Sequence, residues 1–194
     1  MIVRVITERM KKMAKAYIFL ADGCEEVEAL TPADLFRRAG ITVSTVSIMG
    51  SQTIEGAHKI KFKADQLYMD TDFEDGDLFM LPGGMPGTKN LADYSPLIQL
   101  LKDKNNEGKR LAAICAAPAL ILGEHSFLEG KKAVCYPGME EKLLKAEVHT
   151  EPVITDGNIT TSRGVGTVID YSLELIRLLK DERTAQEIKK SIVY

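Results

Sequence analysis

The sequence predicts an α/β protein, a flavodoxin-like three-layer sandwich in which a mainly parallel sheet lies between two layers of helices. Short apolar segments rich in β-branched residues alternate with amphipathic segments along most of the chain. Strands and helices in such alternation form parallel sheets joined by right-handed crossovers. The length of 194 residues, with 45% hydrophobic and 27% charged residues, suits one globular core. We therefore expect a single domain over residues 13–194.

The elements are predicted in chain order from the periodicity of apolar residues. A strand at residues 16–20 precedes a helix at about 25–39, in which Val27, Leu30 and Leu35 face inward and Gly40 ends the helix. Residues 41–48 alternate and form the second strand. The later elements are a small β excursion within residues 51–75, strands at 78–81, 110–114, 133–135 and 159–161, and helices at 95–105, 117–122, 139–145 and 167–180.

Residues 1–12 are predicted to be a charged N-terminal extension. They are rich in arginine and lysine and lack the apolar segment and cleavage site of a secretory signal, so export is not expected. The longest apolar stretch, residues 111–122, is too short to span a bilayer. The net charge of −3, with both signs interspersed, provides no basic surface for a phosphate backbone. We therefore expect neither a membrane nor a nucleic acid as a partner.

The cysteines indicate a reducing compartment. Cys24, Cys115 and Cys135 are odd in number and contain no Cys-x-x-Cys pair, which predicts neither a disulfide framework nor a zinc site. A cytoplasmic location without a metal site is the expectation that follows.

Three loops are predicted to converge at one edge of the sheet. In the common strand order 2-1-3-4, the strands that end at Leu20, Leu81 and Ile114 are neighbours. Ligands bind outside the carboxyl ends of such strands, near the point where the strand order reverses. The loops at residues 22–28, 83–87 and 115–118 therefore contain the candidate site.

Cys115 is the candidate nucleophile. It follows an apolar strand and precedes small residues that open a helix with Pro118 in its first turn, which is how a nucleophile elbow is built. A helix N-terminus also favours the thiolate. The alternative is a small buried hydrophobic residue, the usual state of a free cysteine. The position at the carboxyl edge favours a reactive thiol.

The glycine loop and Glu28 supply candidate partners for Cys115. Adjacent Gly83 and Gly84 let the backbone approach a ligand, so the N–H groups of Gly84 and Ala116 are candidates for binding an oxyanion. Glu28, in a poorly solvated cleft, would stay protonated and move protons. The alternative for the glycine pair is an ordinary tight turn, and the alternative for Glu28 is a solvated glutamate. Which interpretation holds depends on whether Cys115 lies beside these residues.

Five segments together resemble the ThiJ/PfpI superfamily, most closely the branch of the Parkinson-disease protein deglycase. They are residues 21–28, 37–41, 81–84, 112–118 and 161–167. The resemblance implies a homodimer that needs no cofactor, with Cys115 as nucleophile, Glu28 as its protonated partner and Gly84 and Ala116 as oxyanion donors. It also implies an activity on small carbonyls, such as conversion of methylglyoxal to lactate, or on glycated proteins. A redox-responsive chaperone that oxidises the same cysteine is the implied alternative.

Two positions depart from the family pattern. Ala116 stands where the peptidase-like branch has a histidine, which disfavours a small-amide or peptide hydrolase. Tyr136 stands where many relatives have a histidine near the thiol, so a mechanism that uses that imidazole lacks its base. Tyr136, Gly83 and Cys24 are the candidates for lining the pocket. Cys24 is either a resolving thiol for oxidised Cys115 or a small residue that fills a turn.

Overall fold

The computed structural model describes residues 13–194, and the predicted extension over residues 1–12 lies outside them. The strands are β1 (Lys15–Leu20), β2 (Thr42–Ser47), β3 (Thr53–Glu55), β4 (Lys61–Lys63), β5 (Gln66–Leu67), β6 (Leu78–Leu81), β7 (Arg110–Ile114), β8 (Lys132–Ala133), β9 (Glu147–Val148), β10 (Val153–Asp156) and β11 (Ile159–Ser162). The helices are α1 (Glu26–Arg38), α2 (Gly87–Asp93), α3 (Ser95–Asn106), α4 (Val168–Leu179) and α5 (Glu182–Ser191).

The central sheet has the predicted flavodoxin-like order. Its seven strands are arranged β10-β11-β7-β6-β1-β2-β5. Strand β1 pairs in parallel with β2 and β6, and β7 pairs in parallel with β6 and β11. Antiparallel pairing in this sheet is confined to β10 with β11. The carboxyl ends of β1, β6, β7 and β11 therefore lie along one edge.

Two apolar layers cover the sheet, as expected for a three-layer sandwich. Alternate residues of β1 point into different layers: Ile18 packs with residues of α1, α4 and α5, and Phe19 packs with residues of α2 and α3. Both faces of the parallel strands are thus buried, which explains their continuous apolar runs. No helix within residues 13–194 is long and apolar enough to cross a membrane.

Helix α1 differs from the prediction in the face that it buries. Val27 and Leu30 were expected to point inward, but they are 43% and 39% exposed, whereas Leu35 is buried as expected. The buried face instead carries Glu28 and the small residues Ala29 and Ala33, which allow α1 to pack closely against its neighbours. Gly40 follows the helix at φ 67°, as the predicted stop requires.

Other helical predictions were wrong or incomplete. The predicted helix at residues 139–145 is only a 3₁₀ turn, Glu140–Lys142, bounded by the left-handed residues Gly138 and Lys145. The segment after Cys115 is a short π-helix, Pro118–Gly123, and not a regular α-helix. Helices α2 and α5 were not predicted, although α5 packs against α4.

Candidate active site

Cys115 lies in a tight turn directly after β7. Its φ is +64°, a left-handed conformation that costs a residue with a side chain about 1–3 kcal/mol and occurs mainly at functional sites. Its N–H donates to the carbonyl of Ser162 at 3.0 Å, and its own carbonyl accepts the N–H of Tyr136 at 2.8 Å. These bonds to two neighbouring segments hold the turn in place. The thiol remains partly exposed, as a nucleophile elbow requires.

Glu28 is fully buried beside the thiol. Its Oε2 accepts the N–H of Gly83 at 2.9 Å, and the carboxyl also interacts with the Cys115 thiol. Its other oxygen, Oε1, is buried and has no hydrogen-bond partner. The first turn of α1 thus directs a carboxyl toward the sheet edge.

The glycine loop fits between these two side chains. A Cβ on Gly83 would lie 2.5 Å from the Cys115 Cβ and 2.7 Å from the Glu28 Oε2, so no side chain can be accommodated there. Gly84 has φ 88°, and its N–H, with that of Ala116, points to the Cys115 sulfur. The candidate oxyanion donors therefore surround the thiol.

The ionisation of Cys115 differs from the expectation of a lone thiolate. Burial raises the pKa of the Cys115 thiol to about 12, and the charge of Glu28 and its hydrogen bond act in the same direction. The N–H groups of Gly84 and Ala116 lower the pKa, but they do not outweigh burial. The expected contribution of a following helix is small because the π-helix has six residues.

Glu28 and Cys115 titrate as a pair. Burial raises the pKa of Glu28 from 4.5 to about 7, although the hydrogen bonds with Gly83 and Cys115 oppose this shift. Two groups in contact lose their protons in two steps that belong to the pair. Near neutral pH the pair can therefore hold one proton, and placing it on Glu28 leaves a thiolate among the two N–H donors.

The thiol opens into a cleft of about 540 Å³. Tyr136, which is 51% exposed, forms one wall. Glu25, in the predicted loop at residues 22–28, also lines the cleft, and so does the segment from Arg163 to Thr167, which the sequence prediction did not place there. The available signal was that residues 163–167 follow β11, a parallel strand that ends at the same edge. Its Gly-Val-Gly segment was recognised in the sequence without a location.

Cys24 does not line the cleft. Its side chain is fully buried, and burial raises its pKa to about 12, so a resolving role is not supported. Cys135 is also buried. The structure thus favours the turn-filling interpretation of Cys24.

Glu26 and His58 form an ion pair next to the cleft. The His58 Nδ1 lies 2.9 Å from Glu26 Oε2 and 3.5 Å from Glu25 Oε2. Within residues 13–194 these three side chains are the group whose ligand atoms lie close enough to hold a metal ion. Glu26 is 3% exposed and accepts the backbone N–H of His58, so it fixes the β3–β4 hairpin on α1. This fixing role was not anticipated for a residue in the first helical turn.

Comparison with known proteins shows which family has this sequence and architecture. Residues 14–178 match the DJ-1/PfpI family. Protein DJ-1 homolog B of Arabidopsis thaliana is 40% identical over 92% of the chain, but the chain spans only 41% of that protein. Protein dj-1beta of Drosophila melanogaster is 32% identical over 92% of the chain and 96% of its own length.

A solved structure agrees in fold and extent. The oxidised DJ-1 of Toxoplasma gondii superposes with a TM-score of 0.90 at 33% identity, and the match covers 93% of this chain and 98% of that one. The family match covers most of the chain, and the two relatives named above each match 92% of it at 30% identity or more. The chain therefore belongs to the DJ-1/PfpI family, within its DJ-1 branch.

Proposed function

We propose that this protein is a cytoplasmic, cysteine-dependent enzyme that acts on reactive carbonyls or glycated groups without a cofactor. The observation that carries the proposal is the placement of the Cys115 thiol against Glu28 and two backbone N–H donors at the base of an open cleft. A nucleophile, a proton carrier and an oxyanion site are the three parts that addition to an aldehyde requires.

The proposed reaction with methylglyoxal begins with the shared proton on Glu28. The thiolate adds to the aldehyde carbon, a C–S bond forms, and the N–H groups of Gly84 and Ala116 bind the resulting oxyanion. Glu28 protonates that oxygen, and its carboxylate then removes the proton from the former aldehyde carbon to give an enediol. The same proton is returned to the neighbouring carbon, while the hydroxyl proton on the former aldehyde oxygen passes to the former ketone oxygen. The resulting thioester of lactate is hydrolysed by water, which releases lactate and restores the thiol.

The relatives and the cleft support this substrate class. A Pyrococcus abyssi relative that is 28% identical over 86% of this chain is named a deglycase. The cleft is open beside the exposed Tyr136, so it can admit a small aldehyde or a glycated side chain. A hydrolase is less well supported, because no histidine of the described chain lines the cleft to act as a base.

Redox sensing is the second candidate. The Toxoplasma gondii relative is described in an oxidised form, and Cys115 is the most exposed of the three cysteines in this chain. In this function peroxide oxidises the thiolate, and turnover of carbonyls is incidental.

One experiment on the unmodified protein separates the two functions. We expect methylglyoxal to be converted to lactate without added cofactor over many turnovers per Cys115. In parallel, intact-mass spectrometry measures oxygen addition under mild peroxide. Stoichiometric oxidation at low peroxide together with less than one lactate per thiol would contradict the enzyme proposal and favour sensing.

We further propose that the protein is a homodimer that uses the outer face of α1. Val27 and Leu30, one turn apart, expose apolar side chains there. We expect light scattering to give twice the mass of the 21.4 kDa chain. Leu30→Asp is expected to yield monomers, whereas Leu144→Asp, at another exposed leucine outside α1, is expected to leave the dimer intact. A monomeric unmodified protein would refute this proposal.

A further inference from the structure

Two buried oxygens near the candidate site lack a partner. Among residues 13–194, the buried side-chain oxygens without a hydrogen bond are Glu28 Oε1, Thr88 Oγ1 and Tyr171 Oη. Leaving each of them unpaired would cost about 1–3 kcal/mol, and buried polar groups in folded proteins are nearly always satisfied. Thr88 belongs to α2, on the opposite side of the sheet from α1 and α4. Glu28 and Tyr171 remain as potential partners of each other.

Glu28 and Tyr171 lie near the starts of two helices that begin at the same edge of the sheet. Helices α1 and α4 follow the parallel strands β1 and β11, begin at the same edge of the sheet and pack against each other. Glu28 is the third residue of α1, and Tyr171 is the fourth residue of α4. Glu28 Oε1 points toward the start of α4, since a Cβ on Gly164 would lie 3.8 Å from it. The negative charge of Glu28 also reaches Tyr171, where it adds to the effect of burial in raising the pKa of the phenol.

We propose that the Tyr171 hydroxyl donates, through one buried water, to Glu28 Oε1 and thereby stabilises the ionised form of this carboxyl next to the Cys115 sulfur. A protonated carboxyl has one carbonyl oxygen and one hydroxyl oxygen. The ionised form instead accepts at both oxygens, and the Gly83 N–H already donates to Oε2, so a donor at Oε1 completes the hydrogen bonding of the carboxylate. Oε2 is the oxygen that lies on the Cys115 side, near Gly83. Tyr171 is thus a positioning residue that acts through Glu28.

This inference deepens the proposed function, because it takes Glu28 as the proton carrier, but its test needs no turnover. The titratable groups that face Glu28 are Cys115 after β7, Glu25 before α1 and Tyr171 in α4. A donor to a carboxyl stabilises its ionised form, so removing the donor raises the pKa of the pair. The shift expected for one hydrogen bond is roughly half a pH unit to one unit.

The test measures the rate of Cys115 alkylation by iodoacetamide from pH 5 to 10 in Tyr171→Phe. We expect the inflection to move upward by that amount and the rate on the plateau above the inflection to rise several-fold. Tyr17→Phe is the matched control, because it removes another fully buried tyrosine hydroxyl, one bonded to the carbonyl of Asp72 at 2.6 Å and located on the other face of the sheet. The control is expected to lose stability and to keep the wild-type profile.

Two outcomes would overturn the proposal. An unchanged profile in Tyr171→Phe, accompanied by greater resistance to urea, would show that the hydroxyl is unpaired in the folded protein. An equal shift in Tyr17→Phe would show that the profile responds to any loss of core packing. Absence of methylglyoxal turnover would count against the proposed function alone, since alkylation reports the proton pair directly.

Discussion

Replacement of Cys115 by serine is expected to reduce methylglyoxal turnover to the rate of the protein-free reaction, a loss of at least about 10³-fold. In the structure Glu28 can exchange a proton with the Cys115 thiol, and a thiol loses its proton far more readily than a serine hydroxyl does. Glu28 is too weak a base to ionise an alcohol, and no histidine lines the cleft within residues 13–194. The measurement is kcat/KM for lactate formation, with far-UV circular dichroism to show that the variant is folded.

The other two cysteines provide matched controls. Cys24→Ala and Cys135→Ala each remove a buried thiol outside the cleft and are expected to retain turnover within a few-fold of the unmodified protein. Selective oxidation by peroxide should likewise be lost in Cys115→Ser and retained in Cys24→Ala and Cys135→Ala. Unchanged turnover in Cys115→Ser would contradict the enzyme proposal, and unchanged oxidation of this variant by peroxide would contradict redox sensing.

The strand order and the site location were predictable because they depend on local patterns. The residues of β1, β6 and β7 form short apolar runs, and in a parallel sheet such runs are buried on both faces. Once their order is fixed, the loops that follow them must meet at one edge. The structure accordingly brings Cys115, Glu28 and Gly84 together from positions far apart in the chain.

The predictions that were wrong concern details that depend on tertiary contacts. Hydrophobicity alone pointed Val27 and Leu30 inward, yet α1 buries Glu28 because the thiol and the Gly83 N–H provide it with partners. The effect of burial on Cys115 was likewise not visible in the sequence. A helix N-terminus favours a thiolate, but this thiol is desolvated and lies beside a carboxyl that carries its own negative charge. Reactivity therefore has to be ascribed to the pair of groups.

Glu28→Gln is expected to abolish the inflection of Cys115 alkylation near pH 7, so that the alkylation rate rises with pH until the thiol itself ionises. In the unmodified protein the pair should show an inflection near the Glu28 pKa of about 7, above which the remaining proton can reside on Glu28 and leave a thiolate. A glutamine side chain does not ionise in this pH range, so it cannot take up the proton of the thiol. The thiolate then requires full ionisation of a thiol whose pKa burial holds above the ordinary value of about 8.5.

Glu25→Gln is the matched control with the opposite sign. The charge of Glu25 raises the pKa of Glu28, so its removal is expected to shift the inflection to lower pH while the pair remains intact. Iodoacetamide rates measured by mass spectrometry from pH 5 to 10 compare the three proteins. Coincident profiles for the unmodified protein and Glu28→Gln would refute proton sharing.

Stability provides a second test of the role of Glu28. Its pKa is raised from 4.5 to about 7 in the folded state, so between these values the folded chain retains a proton that the unfolded chain has lost. The free energy of unfolding therefore decreases as pH rises through this window, by about 3 kcal/mol in total. Glutamine carries no charge, so Glu28→Gln should match the unmodified protein near pH 4 and be more stable at pH 8 in urea denaturation. A variant that lacks the inflection near pH 7 but is more stable at pH 8 identifies Glu28 as a group kept for proton transfer at a cost to the fold. A variant that lacks the inflection and is also less stable at pH 8 would show that Glu28 only supports the Gly83 loop.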